Sequence, residues 1–187
     1  MRSRWSTRRT IRRCCSLWGG NEQASLLDEI CVELPARIYA HLSPGLVGHL
    51  LHRYASEPHG EYLKMALRDD AGWAEVDTAD VVALGPDARE ELVAFYALAY
   101  PGNWFDPRML ETRQYVAIRE RGAIVAAGGV HVYSEREHVA ALGNIAVAPA
   151  ARGRGFARRV TAALCCSLRE KVDHLGLNVR ADNRAAI

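Results

Sequence analysis

Hydrophobic positions along this chain follow two patterns, short apolar runs and runs repeating every three or four residues, and together they lay out a series of strands and helices. Val81 to Leu84 is a short apolar strand. Gly85-Pro86-Asp87 then opens a helix with Asp87 and Glu90 at capping-box spacing, Leu92, Phe95, Tyr96 and Ala99 as its buried stripe, and Pro101-Gly102 as its stop. Asp106-Pro107 starts one further turn. Tyr115 to Arg119 and Ala123 to Tyr133 read as antiparallel strands joined across Glu120-Arg121-Gly122, and Gly128-Gly129 marks a bend or bulge inside the second. After the charged turn Ser134 to His138 comes a strand from Val139 to Val147, which Pro149 ends.

The strongest periodicity lies beyond it. From Gly155 to Val172, Phe156, Val160, Leu164, Leu168 and Val172 form one stripe, with Arg158, Arg159, Arg169 and Glu170 away from it. Leu175 to Arg180 is the next strand, parallel to Val139 to Val147 through this crossover helix. The predicted class is therefore α/β (α+β), a mixed and mostly antiparallel sheet containing one βαβ unit, with a glycine-rich turn between its first strand and its helix.

The first part of the chain predicts a smaller α/β segment. A helix near Gln23 to Glu33 precedes a short strand around Ile38 to His41. Ser43-Pro44 then opens a second helix with Leu46, Leu50, Leu51 and Tyr54 on one face, and a strand from Tyr62 to Leu67 follows the turn His59-Gly60. His49 and His52 share a helical face, but no third ligand has recognisable spacing, so no metal is expected. The expected division is a basic, disordered tail over 1–20, an accessory segment over 21–78, and the main domain over 79–187.

Composition adds a charge asymmetry. The chain has 187 residues and a formal charge of +2, yet Arg2, Arg4, Arg8, Arg9, Arg12 and Arg13 crowd the tail with no acid beside them. Removing these 6 from the 24 basic residues leaves 18 against 22 acidic ones, a body at −4, which argues against a broad nucleic-acid surface. Thr7-Arg8-Arg9-Thr10-Ile11 resembles a twin-arginine signal, but the apolar region such a signal needs is missing. No apolar run approaches the ~20 residues of a membrane span. Cys14, Cys15, Cys31, Cys165 and Cys166 fit neither a disulfide framework nor zinc spacing, and read as reduced thiols in a cytoplasmic protein.

The segment Arg152-Gly153-Arg154-Gly155-Phe156-Ala157 carries the candidate chemistry. A glycine-rich turn running into a helix N-terminus presents unpaired N–H groups and the positive end of the helix dipole, and so makes an anion site. Arg152 and Arg154 add cationic contacts. A triphosphate-binding P-loop needs Lys and then Ser or Thr after its second glycine, where this chain has Phe156-Ala157. A dinucleotide fingerprint needs a small residue at Arg158 and an acid at the end of the following strand, whereas Asp173 precedes that strand.

These six residues match the Arg/Gln-x-x-Gly-x-Gly/Ala signature of the GNAT superfamily of N-acetyltransferases, which the chain resembles over roughly residues 80 to 187. Asn144-Ile145-Ala146-Val147-Ala148-Pro149 is similar to the family's acyl-CoA strand, and Asn178-Val179-Arg180-Ala181-Asp182-Asn183 to its next strand and asparagine. The resemblance implies an acyl-CoA-dependent N-acyltransferase that moves acetyl or another acyl group to a small-molecule or peptide amine. It implies that the backbone of Ile145, Ala146 and Val147 pairs with the pantetheine arm. It further implies that the loop Arg152, Gly153, Arg154, Gly155, Phe156 and Ala157 holds the pyrophosphate through the amides from Gly153 to Ala157, and that Asn183 lies near the thioester arm.

Catalysis would require a group to take the ammonium proton, with a backbone N–H near Ile145 to Val147 facing the oxyanion. Glu137 and His138 are the candidates for that base, with Tyr133 and His131 behind them. Family members usually continue past the asparagine into a tyrosine-bearing helix and two strands, where this chain stops at Ile187. The expectation is a truncated product or a fragment with weakened or no turnover. The alternative function is a non-catalytic acyl-CoA-binding or regulatory module.

Overall fold

The computed structural model describes residues 13–17, 21–67 and 71–187. The chain divides into two compact units, Met1–His59 and Gly60–Ile187.

In the first unit, β1 (Arg13–Leu17) pairs in parallel with β2 (Ile38–Leu42) through α1 (Asn21–Ile30). Of the tail expected to be disordered, 1–12 and 18–20 lie outside the described residues, while Arg13–Leu17 is a strand. The helix expected after Ser43-Pro44 is a single 3-10 turn, Leu46–Leu50, which starts only after Gly45 at φ 90. Leu46 and Leu50 pack on Leu27 and Cys31, as a stripe would require, but the tighter turn leaves Leu51 54% exposed. His49 and His52 have separate partners. His49 Nδ1 lies 3.0 Å from Asp28 Oδ1, and His52 Nε2 lies 3.3 Å from Cys31 Sγ.

The second unit holds a six-stranded sheet in the order β3-β8-β7-β6-β5-β4. Its strands are β3 (Tyr62–Ala66), β4 (Val81–Leu84), β5 (Tyr115–Glu120), β6 (Ala123–Ser134), β7 (Val139–Val147) and β8 (His174–Arg180), and the short helix α2 (Ala71–Ala74) follows β3 in the chain. Every neighbouring pair is antiparallel except β7 with β8. The mixed, mostly antiparallel sheet and its βαβ unit are as the sequence predicts. The edge strand β3 belongs to this sheet, so the compact unit begins at Gly60, and the expected division at residue 79 cuts through it.

Side chains alternate across the sheet and build a core on each face. On one, α4 (Phe156–Arg169) lays Phe156, Val160, Leu164 and Leu168 over Ile118, Ala126, Val130, Ala140 and Leu142. On the other, α3 (Arg89–Ala99) sets Leu92, Phe95, Tyr96 and Ala99 against Tyr115, Ala117, Ala127 and Ala146. Both stripes are those predicted. The expected capping box at Asp87 and Glu90 does not form. Pro86–Ala88 is a 3-10 turn that delays the helix to Arg89, and no side chain caps the start of either element.

The β6–β7 ladder is irregular at two places, and these position the site. Gly128 lies opposite two residues, Asn144 and Ile145, because the pairing passes from Ala127↔Ala146 to Gly129↔Gly143. A step further, between Val130↔Leu142 and Val132↔Ala141, His131 has no counterpart on β7. Each is a β-bulge, one on either strand.

Candidate functional site

The glycine loop leaves β7 through a 3-10 turn, Pro149–Ala151, and reaches α4 with Gly153 at φ 76 and Gly155 at φ 77. Residues with a side chain rarely adopt that backbone, so the two glycines are required by the turn itself. Among the described residues, the N–H groups of Gly153 to Ala157 have no acceptor in the loop or the helix. A Cβ at either glycine would meet nothing within 4 Å. The loop is thus an open cluster of donors at the positive end of a 14-residue helix, and its electrostatics favour negative charge there.

The two loop arginines are already engaged. Arg152 reaches back, its Nε 3.3 Å from the Val147 carbonyl and its Nη2 3.4 Å from that of Ala99, and so ties the loop to the ends of β7 and α3. Arg154 grips Glu120 through both nitrogens, at 2.9 and 2.5 Å, and lies 4.6 Å from the centre of the Phe156 ring. That grip holds the exposed Glu120 carboxyl below its usual range, so Glu120 stays charged beside the loop. A depression of about 630 Å³ opens there, lined by Glu120, Arg121, Val125 and Arg154.

Next to the loop, the sheet parts. Pairing between β7 and β8 ends at Leu142↔Leu177, although β7 runs on to Val147 and β8 to Arg180. From Gly143 onward the β8-facing edge of β7 has no strand beside it, and this stretch contains Ile145, Ala146 and Val147. The parallel strands finish at the same end of the sheet, which brings Asn183, just beyond β8, to the end that carries the glycine loop.

A buried polar network fixes the bulge on this edge. Asn144 takes φ 54, the Tyr96 hydroxyl donates to its carbonyl at 2.7 Å, and its Nδ2 donates to the Tyr115 hydroxyl at 3.0 Å. The Phe105 ring fills the space between the two tyrosines, with centroids 5.1 and 5.5 Å away. Burial pushes the Tyr115 hydroxyl up to about 12 and that of Tyr96 further in the same direction, so both remain protonated donors. Asn144 Oδ1 is buried without a hydrogen-bond partner. Sequence reasoning places Tyr96 only in an apolar stripe and Tyr115 only in a strand. Their ring edges being apolar and their tips polar is the one available signal.

The structure does not bring Glu137 and His138 to the loop. They occupy the β6–β7 turn, and the nine residues of β7, roughly 30 Å of strand, separate them from it. His138 is tied to the opposite end of the sheet, its carbonyl accepting from the N–H groups of Asp173 and His174, and Glu137 is paired with Arg136 at 3.3 Å. Tyr133 donates to Glu135 at 2.7 Å. Among the described residues no three His, Cys, Asp or Glu side chains are grouped to hold a metal, and no helix is long and apolar enough to cross a membrane.

A family model described as Acetyltransferase (GNAT) family matches residues 73–187. A comparison with curated proteins finds no match. Among solved structures, the chain is similar to a protein described as a GNAT-family acetyltransferase from Novosphingobium aromaticivorans, with 23% identity and a TM-score of 0.56 over 67% of this chain and 54% of that one. It is also similar to a GNAT-family acetyltransferase from Colwellia psychrerythraea, with 17% identity and a TM-score of 0.59 over 88% and 65%. The chain thus spans a little over half to about two thirds of their lengths, and at these identities the likeness is one of fold. The family match covers more than half of the chain, loop and open edge included, and the chain belongs to the GNAT acetyltransferase family.

Proposed function

We propose that this protein is an N-acyltransferase that transfers an acetyl or other acyl group from acyl-CoA to an amine on a small molecule or peptide. One observation carries the reading: a cluster of unpaired amides, Gly153 to Ala157, stands at the end of β7 where that strand's edge lies open. The two features suit the two ends of one ligand. The amides and the helix dipole fit a pyrophosphate, and the open edge from Gly143 fits the amide-bearing pantetheine arm as an added strand.

The fit has specific limits. Asn144 and Val147 have carbonyls already taken by Tyr96 and Arg152, and Ala146 faces Ala127 of β6, which leaves Ile145 and the Val147 N–H to meet the arm on this edge. Arg154 would contact a phosphate only by sharing its guanidinium with Glu120. Asn183 flanks the arm from the β8 side. Tyr96 and Tyr115 hold the bulge, so that its N–H groups point at a fixed place, which is what stabilising a developing oxyanion demands. Free thiols at Cys31, Cys165 and Cys166 suit a reducing compartment such as the cytoplasm.

Calorimetry with CoA and acetyl-CoA, run beside thiol release from acetyl-CoA with tyramine, spermidine and an alanine-terminated peptide, tests this. The expected result is binding of both ligands and amine-dependent release with at least one acceptor. Binding without release from any amine would reduce the protein to an acyl-CoA-binding module, and no binding at all would overturn the reading.

A further inference from the structure

We infer that His131 is the general base that takes the proton from the attacking amine, an assignment that rests on the acyl-CoA reading above. Three independent placements lead to it. His131 is the extra residue of the β6 bulge, so the ladder does not determine where its side chain goes. Its imidazole fills the space that Gly143 leaves empty, and a Cβ on Gly143 would lie 2.3 Å from His131 Cδ2. Gly143 is the residue at which the open edge of β7 begins, immediately before the Asn144–Ile145 bulge.

The cross-strand partner of Gly143 is Gly129, whose own missing Cβ makes way for the Tyr115 ring, 2.4 Å away. Partners in an antiparallel ladder point to the same face, so the His131 ring and the Tyr115–Asn144–Tyr96 network share one. The histidine is exposed and, among the described residues, its side chain has no hydrogen bond or ion pair. The buried network is closed to solvent and its tyrosines stay protonated, whereas His131 is an unoccupied basic side chain beside it. The other sequence candidates lie far along β7 or are already paired.

His131 takes one proton from the ammonium, and the freed nitrogen lone pair bonds to the thioester carbonyl carbon. The carbon–sulfur bond breaks with its electron pair on sulfur. The second N–H proton passes to the thiolate through water, and the imidazolium returns its proton to solvent. Acylated amine, CoA thiol and one proton result.

Bromoacetyl-CoA tests the placement without an acceptor. An imidazole nitrogen near the acyl position displaces bromide, forming a nitrogen–carbon bond and losing its ring proton to solvent. The expected result is a single adduct on His131, prevented by excess CoA and located by mass spectrometry. H131Q should lose that adduct and keep its calorimetric affinity for CoA within twofold. With an amine the wild type acetylates, kcat should fall at least about 100-fold. A CoA-protected adduct elsewhere, no adduct despite CoA binding, or an H131Q turnover within twofold of wild type would overturn the assignment while leaving the acyl-CoA reading intact. If wild-type protein fails to bind CoA, that reading is lost and this one with it.

Discussion

Gly129 and Gly143 face each other across the β6–β7 ladder, and each leaves room for a ring, but the two rings differ in their freedom to move. A Cβ at 143 would meet the exposed imidazole of His131, which can swing aside, while a Cβ at 129 would meet the fully buried ring of Tyr115. G143A should therefore keep its stability within about 1 kcal/mol and lose turnover as H131Q does, whereas G129A should lose about 1–3 kcal/mol from overpacking. Urea denaturation and amine-dependent thiol release measure the two. The sequence already marks Gly128-Gly129 as an irregular place. It does not mark Gly143, because the empty space over one strand is visible only when the register with the next is known. For the same reason Tyr96 reads as core: the hydroxyl's partner is a carbonyl 48 residues away.

At the level of elements, legibility follows how much of an element's stability is local. Helix α4 and strand β7 are readable because each carries its apolar pattern within a contiguous stretch, an amphipathic stripe laid on the sheet and an apolar run buried inside it. Leu164 is 1% exposed within that stripe, and L164A should cost about 2–5 kcal/mol, measured by urea denaturation, with any cavity left under α4 rather than at the loop. The turn after Ser43-Pro44 was less legible, since Gly45 and Gly48 favour a short 3-10 turn over the helix that Leu51 and Tyr54 suggest. The unpaired amides of the glycine loop are legible because they belong to the backbone of contiguous residues. What the arginines do is not, since Glu120 and Ala99 are brought to them only by the fold.

Across the whole molecule, the position of β3 is the clearest case of a non-local choice. It pairs with β8, more than a hundred residues later, so nothing near Tyr62 announces that it closes the sheet. The buried tyrosines make the unit sensitive to alkali. Tyr115 loses its proton near 10 when unfolded and near 12 when folded, so the unfolded chain releases the proton first and stability falls as pH rises through that window. Tyr96 acts in the same direction. Urea midpoints should hold up to about pH 9 and then decline toward pH 12, and the decline should be shallower in Y115F.

The two bulges have a further consequence as insertions. Outside them β6 and β7 share one register, from Ala126↔Val147 at one end to Ser134↔Val139 at the other, because the surplus residue on each strand offsets the other. Losing one residue alone would turn half of the hairpin inside out, exposing what it now buries. Losing one from each would restore an uninterrupted ladder with the same ends and the same helices above and below. The two bulges thus stand or fall together, because the register at both ends of the hairpin is kept only while the strands hold equal numbers of residues between them.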